Sequence, residues 1–206
     1  STIVNDIEAL PKGLLFWRSS THYIGGLGVV VFLLLVMPQA SPYRLKLTNM
    51  EMSTLSKGGY KYKSSKIVRI ITGVYVGFTI ACALSLWAAG MSLFDAVNHS
   101  FSIAATGGFS TRNMSIGYYQ SDLINLIVIF FMAVCAMHFG LIYAVFATGS
   151  LKPMKNSVVG YYFGSITVCS LIVMFVLMIQ GGYDSWGRAA VDSAFTVVSY
   201  MSTAGF

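Results

Sequence analysis

Four stretches of this chain, residues 14–37, 67–89, 123–148 and 158–180, run for about 20 residues or more with scarcely a charge, the length an α-helix needs to cross the hydrocarbon of a bilayer. A single soluble core in a 206-residue chain has no room to hide four such runs. Only 10% of the residues are charged and mean hydropathy is +0.72, whereas a soluble domain carries about a quarter charged residues. In lipid the backbone must satisfy its own hydrogen bonds. The expected fold class is therefore all-α and integral to the membrane.

The charges say how the runs are threaded. Nine of the 13 Lys and Arg lie at or beside two connections, 41–69 and 149–156, while six of the seven acids lie on the other side. Basic connections stay in the cytoplasm, so residues 91–120 and the segment after Gln180 face outward. The net charge of +6 follows from this topology. Since the basic residues flank apolar spans and are not interleaved with solvent-facing aromatics, no nucleic-acid partner is implied. Loop 41–66, with Arg44, Lys46, Lys57, Lys61, Lys63 and Lys66, suits anionic lipid or a cytosolic partner. Trp17, Trp87 and Trp186 fall near the outer ends of spans, where interfacial aromatics belong.

Segment 91–120 lies between two crossings and must enter and leave by the same face, so it is re-entrant or superficial. Its apolar part, Ala96-Val97-Asn98-His99-Ser100-Phe101-Ser102-Ile103, aligns with Ala190-Val191-Asp192-Ser193-Ala194-Phe195-Thr196-Val197. Each stretch is too short to span and leads into Thr, small, Gly, Phe: Thr106-Gly107-Gly108-Phe109 and Thr203-Ala204-Gly205-Phe206. On this alignment the second copy carries three extra residues. A short helix aiming its C-terminal end into the membrane brings partial negative charge with it, and a glycine-containing strand beyond it can line up carbonyls that replace the water around an alkali ion. Glycine is expected because successive inward carbonyls demand backbone angles that a Cβ disfavours. Taken singly, each tetrapeptide could equally be an ordinary turn; recurrence after matching helices favours a repeated helix–pore-loop–helix unit and a cation path.

These residues resemble the TrkH/KtrB group of bacterial potassium uptake proteins over essentially the whole chain. The most specific similarity is in Leu14-Leu15-Phe16-Trp17-Arg18-Ser19-Ser20-Thr21-His22-Tyr23-Ile24-Gly25-Gly26-Leu27-Gly28 and Ala105-Thr106-Gly107-Gly108-Phe109-Ser110-Thr111. The resemblance implies a potassium-channel-like architecture of four repeats in one chain, in the bacterial inner membrane. Here 1–40 would end the first repeat, 41–66 form a cytoplasmic loop, 67–148 the complete second repeat, 149–156 a cytoplasmic turn and 157–206 the start of the third. Both ends read as cut, and the chain is expected to be an internal fragment. By the same resemblance Gly108 and Gly205 are filter glycines, the carbonyls of Thr106, Gly107, Thr203 and Ala204 face a K⁺ ion, and Phe109 and Phe206 complete the strands. The cargo is then potassium with no organic cofactor, and the implied partners are a second copy in a homodimer and a cytosolic nucleotide-binding regulatory subunit. A sodium-permeable or sodium-coupled transporter of the same fold is the alternative.

An intramembrane enzyme would need a paired-Asp or His-Glu-x-x-His motif, and the sequence has neither. His138 lies inside an apolar run, where it either bonds a neighbouring helix or serves the path. Arg18 either anchors a pore helix, pairs with Asp6 or Glu8, or snorkels. Arg112, close after the loop, must be turned away or neutralised if a cation is to enter. Asp95 and Asp192 near the starts of the short helices suit capping, and Cys82, Cys135 and Cys169 are expected to be buried. Gly25, Gly26 and Gly28 are expected to admit a close backbone.

Overall fold

The computed structural model describes residues 6–36, 64–137, 157–181 and 185–206, together with 145, 154, 155 and 183. Among them run six α-helices and a five-residue 3-10 turn: α1 (Lys12–Val36), α2 (Ser64–Ala88), α3 (Leu93–Ala104), the 3-10 turn (Ser115–Tyr119), α4 (Asp122–Cys135), α5 (Ser157–Ile179) and α6 (Trp186–Met201). Three of the helices start on serines, Ser92, Ser121 and Ser185, whose hydroxyls accept the amide three residues on, satisfying an N–H that the helix itself leaves free.

Helices α2 and α5 contain windows long and apolar enough to cross a membrane, and α1 has 25 residues. Within the third expected span, 123–148, α4 ends at Cys135, where Ala136 caps it with a bond from its N–H to the Met132 carbonyl; of 138–148 only residue 145, which is helical, is among the described residues. His138 and the basic loop up to residue 63 lie outside the described residues. The short helices differ in length: α3 has 12 residues, and α6 has 16 and begins at Trp186. Asp192 therefore sits in the second turn of α6, and Ser185 is the cap.

Packing recurs along the chain. Helix α2 lies on α3 and α5 on α6, while α1 lies on α3 and α4 on α6. Each short helix is thus held between the helix just before it and an earlier one, α3 between α2 and α1 and α6 between α5 and α4. A buried cluster joins Cys82 and Leu86 of α2, Ala96 and Ile103 of α3, Val128, Phe131 and Met132 of α4, and Val198 of α6. Because lipid is as apolar as leucine, such a cluster gains by close packing and not by leaving water. Accordingly the outward faces remain apolar, with Ile80, Leu84, Phe130, Val168, Ile172 and Phe175 all exposed. Cys82 and Cys135 are buried as expected, but Cys169 is on the exposed face of α5.

Of the three glycines expected to admit a close neighbour, one does. A Cβ on Gly26 would stand 3.2 Å from the Tyr75 hydroxyl and 3.3 Å from the Ala105 side chain, whereas Gly25 and Gly28 meet nothing within 4 Å. Tyr23, three residues earlier, stacks between Tyr75 at 4.8 Å and Phe101 at 4.5 Å. These contacts seat α1 against the end of α3, beside the Thr106–Phe109 loop.

Candidate functional site

The first loop folds back along the helix that precedes it. Asp95, His99 and Ser102 occupy successive turns on one face of α3, and all three are buried. Ser102 Oγ accepts the Phe109 N–H at 2.5 Å, Ser110 Oγ meets His99 Nε2 at 2.9 Å, and Thr111 Oγ1 donates to Asp95 Oδ1 at 2.6 Å. His99 Nδ1 lies 2.7 Å from the Asp95 carbonyl, which can only accept, so Nδ1 carries the proton. Ser110 Oγ takes the Arg112 N–H and gives its own proton to Nε2. A neutral imidazole satisfies this chain, and burial favours that form. The stripe escaped sequence analysis, although polar residues at i, i+4 and i+7 in an apolar stretch were its visible signal.

The second loop repeats the arrangement where it can be compared. Ser199 Oγ accepts the Phe206 N–H at 2.9 Å. Thr203 N–H bonds the Tyr200 carbonyl as Thr106 N–H bonds that of Ile103, and Ser202 N–H bonds Val198 as Ala105 N–H bonds Phe101. Thr106 and Gly108 have φ of 51° and 66°, and Thr203 and Gly205 have 58° and 73°. All these pairs are 97 apart, 106 to 203 and 108 to 205, and Asp95 then falls on Asp192. This corrects the alignment of Phe101 with Phe195 and its three extra residues. Matching apolar positions slid the copies by three, close to one helical turn, which preserves the apolar face and so left the error invisible.

Backbone geometry revises the expected role of glycine. Thr106 and Gly108 take left-handed φ with Gly107 between them outside that region, so the backbone alternates and is not an extended strand. At Gly108 and Gly205 glycine supplies that angle freely. Thr106 and Thr203 take it despite a branched Cβ, at a cost of about 1–2 kcal/mol each, a strain of the kind that collects at functional sites. Gly107 needs no special angle; a Cβ there would run into the His22 ring.

The two loops meet backbone to backbone, since a Cβ on Gly108 would strike the Ala204 carbonyl and the Gly205 backbone. Beneath them a cavity of about 490 Å³ is lined by the last residues of both short helices, Ala104–Thr106 and Met201–Thr203, with Gly26, Tyr75 and the end of α4 at Cys135–Met137. Two helix C-termini therefore direct their partial negative charge into one space. Among the described residues no group of three or more His, Cys, Asp or Glu is arranged to hold a metal; the hydroxyl-bearing residues of the cavity lining are Tyr75, Thr106, Ser202 and Thr203.

Two arginines flank the loop, one bound to its end and one ion-paired. The Arg18 guanidinium lies over the Phe109 ring at 4.7 Å and donates to the Ser110 carbonyl at 2.5 Å; it anchors the strand beyond the loop, and its partner is neither Asp6 nor Glu8. Arg112 bonds Asp95 at 3.3 Å, reaches Glu8 at 4.0 Å and stacks on Tyr118 at 4.3 Å, so its charge is neutralised. Burial alone would raise the Asp95 carboxyl, but the Thr111 hydroxyl and the Arg112 charge outweigh it and hold it below the usual range. Asp95 thus ties the strand down, and its side chain does not act as a simple cap. Asn113 joins the same outer network through Asp6, Glu8 and the Ile7 N–H.

Comparison with known proteins gives consistent results. The TrkH family model, described as a cation transport protein, matches residues 1–163. The Trk system potassium uptake protein TrkH of Escherichia coli K12 is 32% identical over the whole chain, and that of Vibrio parahaemolyticus is 33% identical. TrkG of Escherichia coli K12 is 32% identical. The crystal structure of the potassium transporter TrkH from Vibrio parahaemolyticus superposes with a TM-score of 0.79 at 31% identity, covering 97% of this chain and 40% of that one. The chain spans about 43% of the length of the TrkH relatives it matches.

Proposed function

Because this chain belongs to the TrkH family, whose members are membrane cation transporters and not enzymes, we propose that it forms part of a potassium-translocating path lined by backbone carbonyls. Thr106, Gly107, Thr203 and Ala204 present carbonyls to the ion, Gly108 and Gly205 set the backbone angles, and Phe109 and Phe206 buttress the strands. The observation that carries this reading is the meeting of two loops with the same alternating backbone, Gly108 against Ala204, above a cavity at two helix C-termini. Carbonyl oxygens in that setting replace the hydration shell of an alkali ion without a side-chain charge.

In this reading 67–148 is one complete helix–pore-loop–helix unit of a channel-like array of four. Residues 1–40 close the unit before it and 157–206 open the one after, with 41–66 and 149–156 as cytoplasmic connections. The recurrent packing of α3 between α1 and α2, and of α6 between α4 and α5, supports the repeat. The protein is multi-pass in a bacterial inner membrane, transports K⁺, and assembles as a homodimer with a cytosolic nucleotide-binding subunit; the names of its relatives as Trk system potassium uptake proteins support the transport part of this reading.

The test is ⁸⁶Rb⁺ uptake by the full-length protein in liposomes, competed by K⁺ or Na⁺, with Gly108→Ser beside the unaltered protein. Competition by K⁺ alone, weakened in the variant, is the expected result. Equal competition by Na⁺ would move the reading to the sodium-permeable alternative. Uptake indifferent to the substitution in a folded protein would reduce the loops to turns and remove the path.

A further inference from the structure

The two loops differ at one position, Gly107 against Ala204, and neither residue has a left-handed φ. Backbone angle therefore does not explain the glycine, and its surroundings do. His22 of α1 fills the space where a side chain at 107 would sit, and its ring meets Phe109 edge-on at 4.9 Å. On the other side of the same strand Gly108 abuts the Ala204 carbonyl. The strand is thus clamped between an imidazole and the neighbouring loop.

The second loop serves as an internal control. Helix α4 holds the place behind it that α1 holds behind the first, and α4 contains no histidine between Asp122 and Cys135. There the Ala204 side chain is buried, joining a cluster with Val128, Phe131 and Met132. Where the preceding helix brings the His22 imidazole against the loop, the loop has no Cβ; where it brings Val128, Phe131 and Met132 to the cluster behind the loop, the loop has one.

We propose that His22 is a positioning residue for ion selectivity, its ring filling the volume denied to residue 107 and holding the Thr106–Phe109 strand at its working distance from the neighbouring loop. This rests on the carbonyl-lined path proposed above. A filter distinguishes ions by the position and stiffness of its carbonyls, so a support removed from behind the strand should affect discrimination before it affects transport. His22 touches the strand from behind and need not touch the ion.

A double-substitution cycle in the full-length protein tests this by ⁸⁶Rb⁺ uptake competed with K⁺ or Na⁺. Gly107→Ala should lower uptake at least about tenfold, the scale of a forced overlap in a packed site. Combining it with His22→Ala, which recreates the arrangement of the second loop, should restore uptake to within about threefold of His22→Ala alone. That single variant should keep its uptake while its preference for K⁺ over Na⁺ falls about tenfold, and His22→Gln, similar in reach, should retain the preference. If His22→Ala does not fold, His22→Val replaces it in both arms. A double variant as inactive as Gly107→Ala, or an unchanged preference in the His22 variant, overturns the proposal. Gly108→Ala in the same assay separates the two failures: if it abolishes uptake while the His22 arms fail, the path stands without this support, and if it changes nothing, the path itself falls.

Discussion

Replacing Ser102 with alanine should loosen the first loop while leaving the helices in place. Ser102 is fully buried, and its hydroxyl accepts the Phe109 N–H, the one hydrogen bond that fixes the Phe109 amide against α3. Removing the oxygen leaves that N–H buried without a partner, at a cost of about 1–3 kcal/mol. The cost falls on the folded loop alone, so its local opening should become about 5- to 150-fold more frequent. The remaining ties, Ser110 to His99, Thr111 to Asp95 and Arg18 to the Ser110 carbonyl, lie beyond position 109 and should keep the following segment closed. Hydrogen exchange on the full-length protein in nanodiscs reads this directly: peptides reporting Phe109 should exchange faster by that factor, those covering 111–113 by far less. Ser199→Ala should act in the same way on Phe206, because the bond recurs there at 2.9 Å. If Phe109 exchanges within about twofold of the unaltered protein, the serine does not hold the loop and the estimated cost is misplaced.

Two further outcomes follow from the outer network and the helix contact. The Asp95 carboxyl titrates below the usual range in the folded protein, so its stabilising effect is complete above about pH 4 and is lost as the pH falls through its own lower value; Asp95→Asn should show the same loosening of 111–113 already at pH 7, and hydrogen exchange at both pH values checks it. Gly26→Leu drives a side chain into Tyr75 and Ala105 and should lower the thermal midpoint of the detergent-solubilised protein through a cost of about 1–3 kcal/mol, whereas Gly25→Leu, facing open space, should not.

The spans were legible because apolar length and basic connections are written residue by residue, and the observed starts at Lys12, Ser64, Asp122 and Ser157 lie within three residues of the expected ones. The two loops after the short helices were legible because Thr, small, Gly, Phe occurs twice. Their true register was not, since sliding one helix by three residues leaves its apolar face almost unchanged; the fixed points are polar, Asp95 with Asp192 and Ser102 with Ser199. Nor was the partner of Gly107, which sits 85 residues away at His22 (22 to 107). The end of α4 at Cys135 carries no Pro or Gly, so nothing local announces it.

The ties that fold the first loop against its own helix span only 7, 11, 16 and 17 residues, whereas the loop it abuts lies almost a hundred residues further on. Short closures form quickly and at little entropic cost. The first loop can therefore enter the bilayer during synthesis with much of its polarity already satisfied, before the second loop exists to shield it. Bringing the two loops together then becomes a docking of finished parts in chain order, and a change in one can be accommodated without refolding the other.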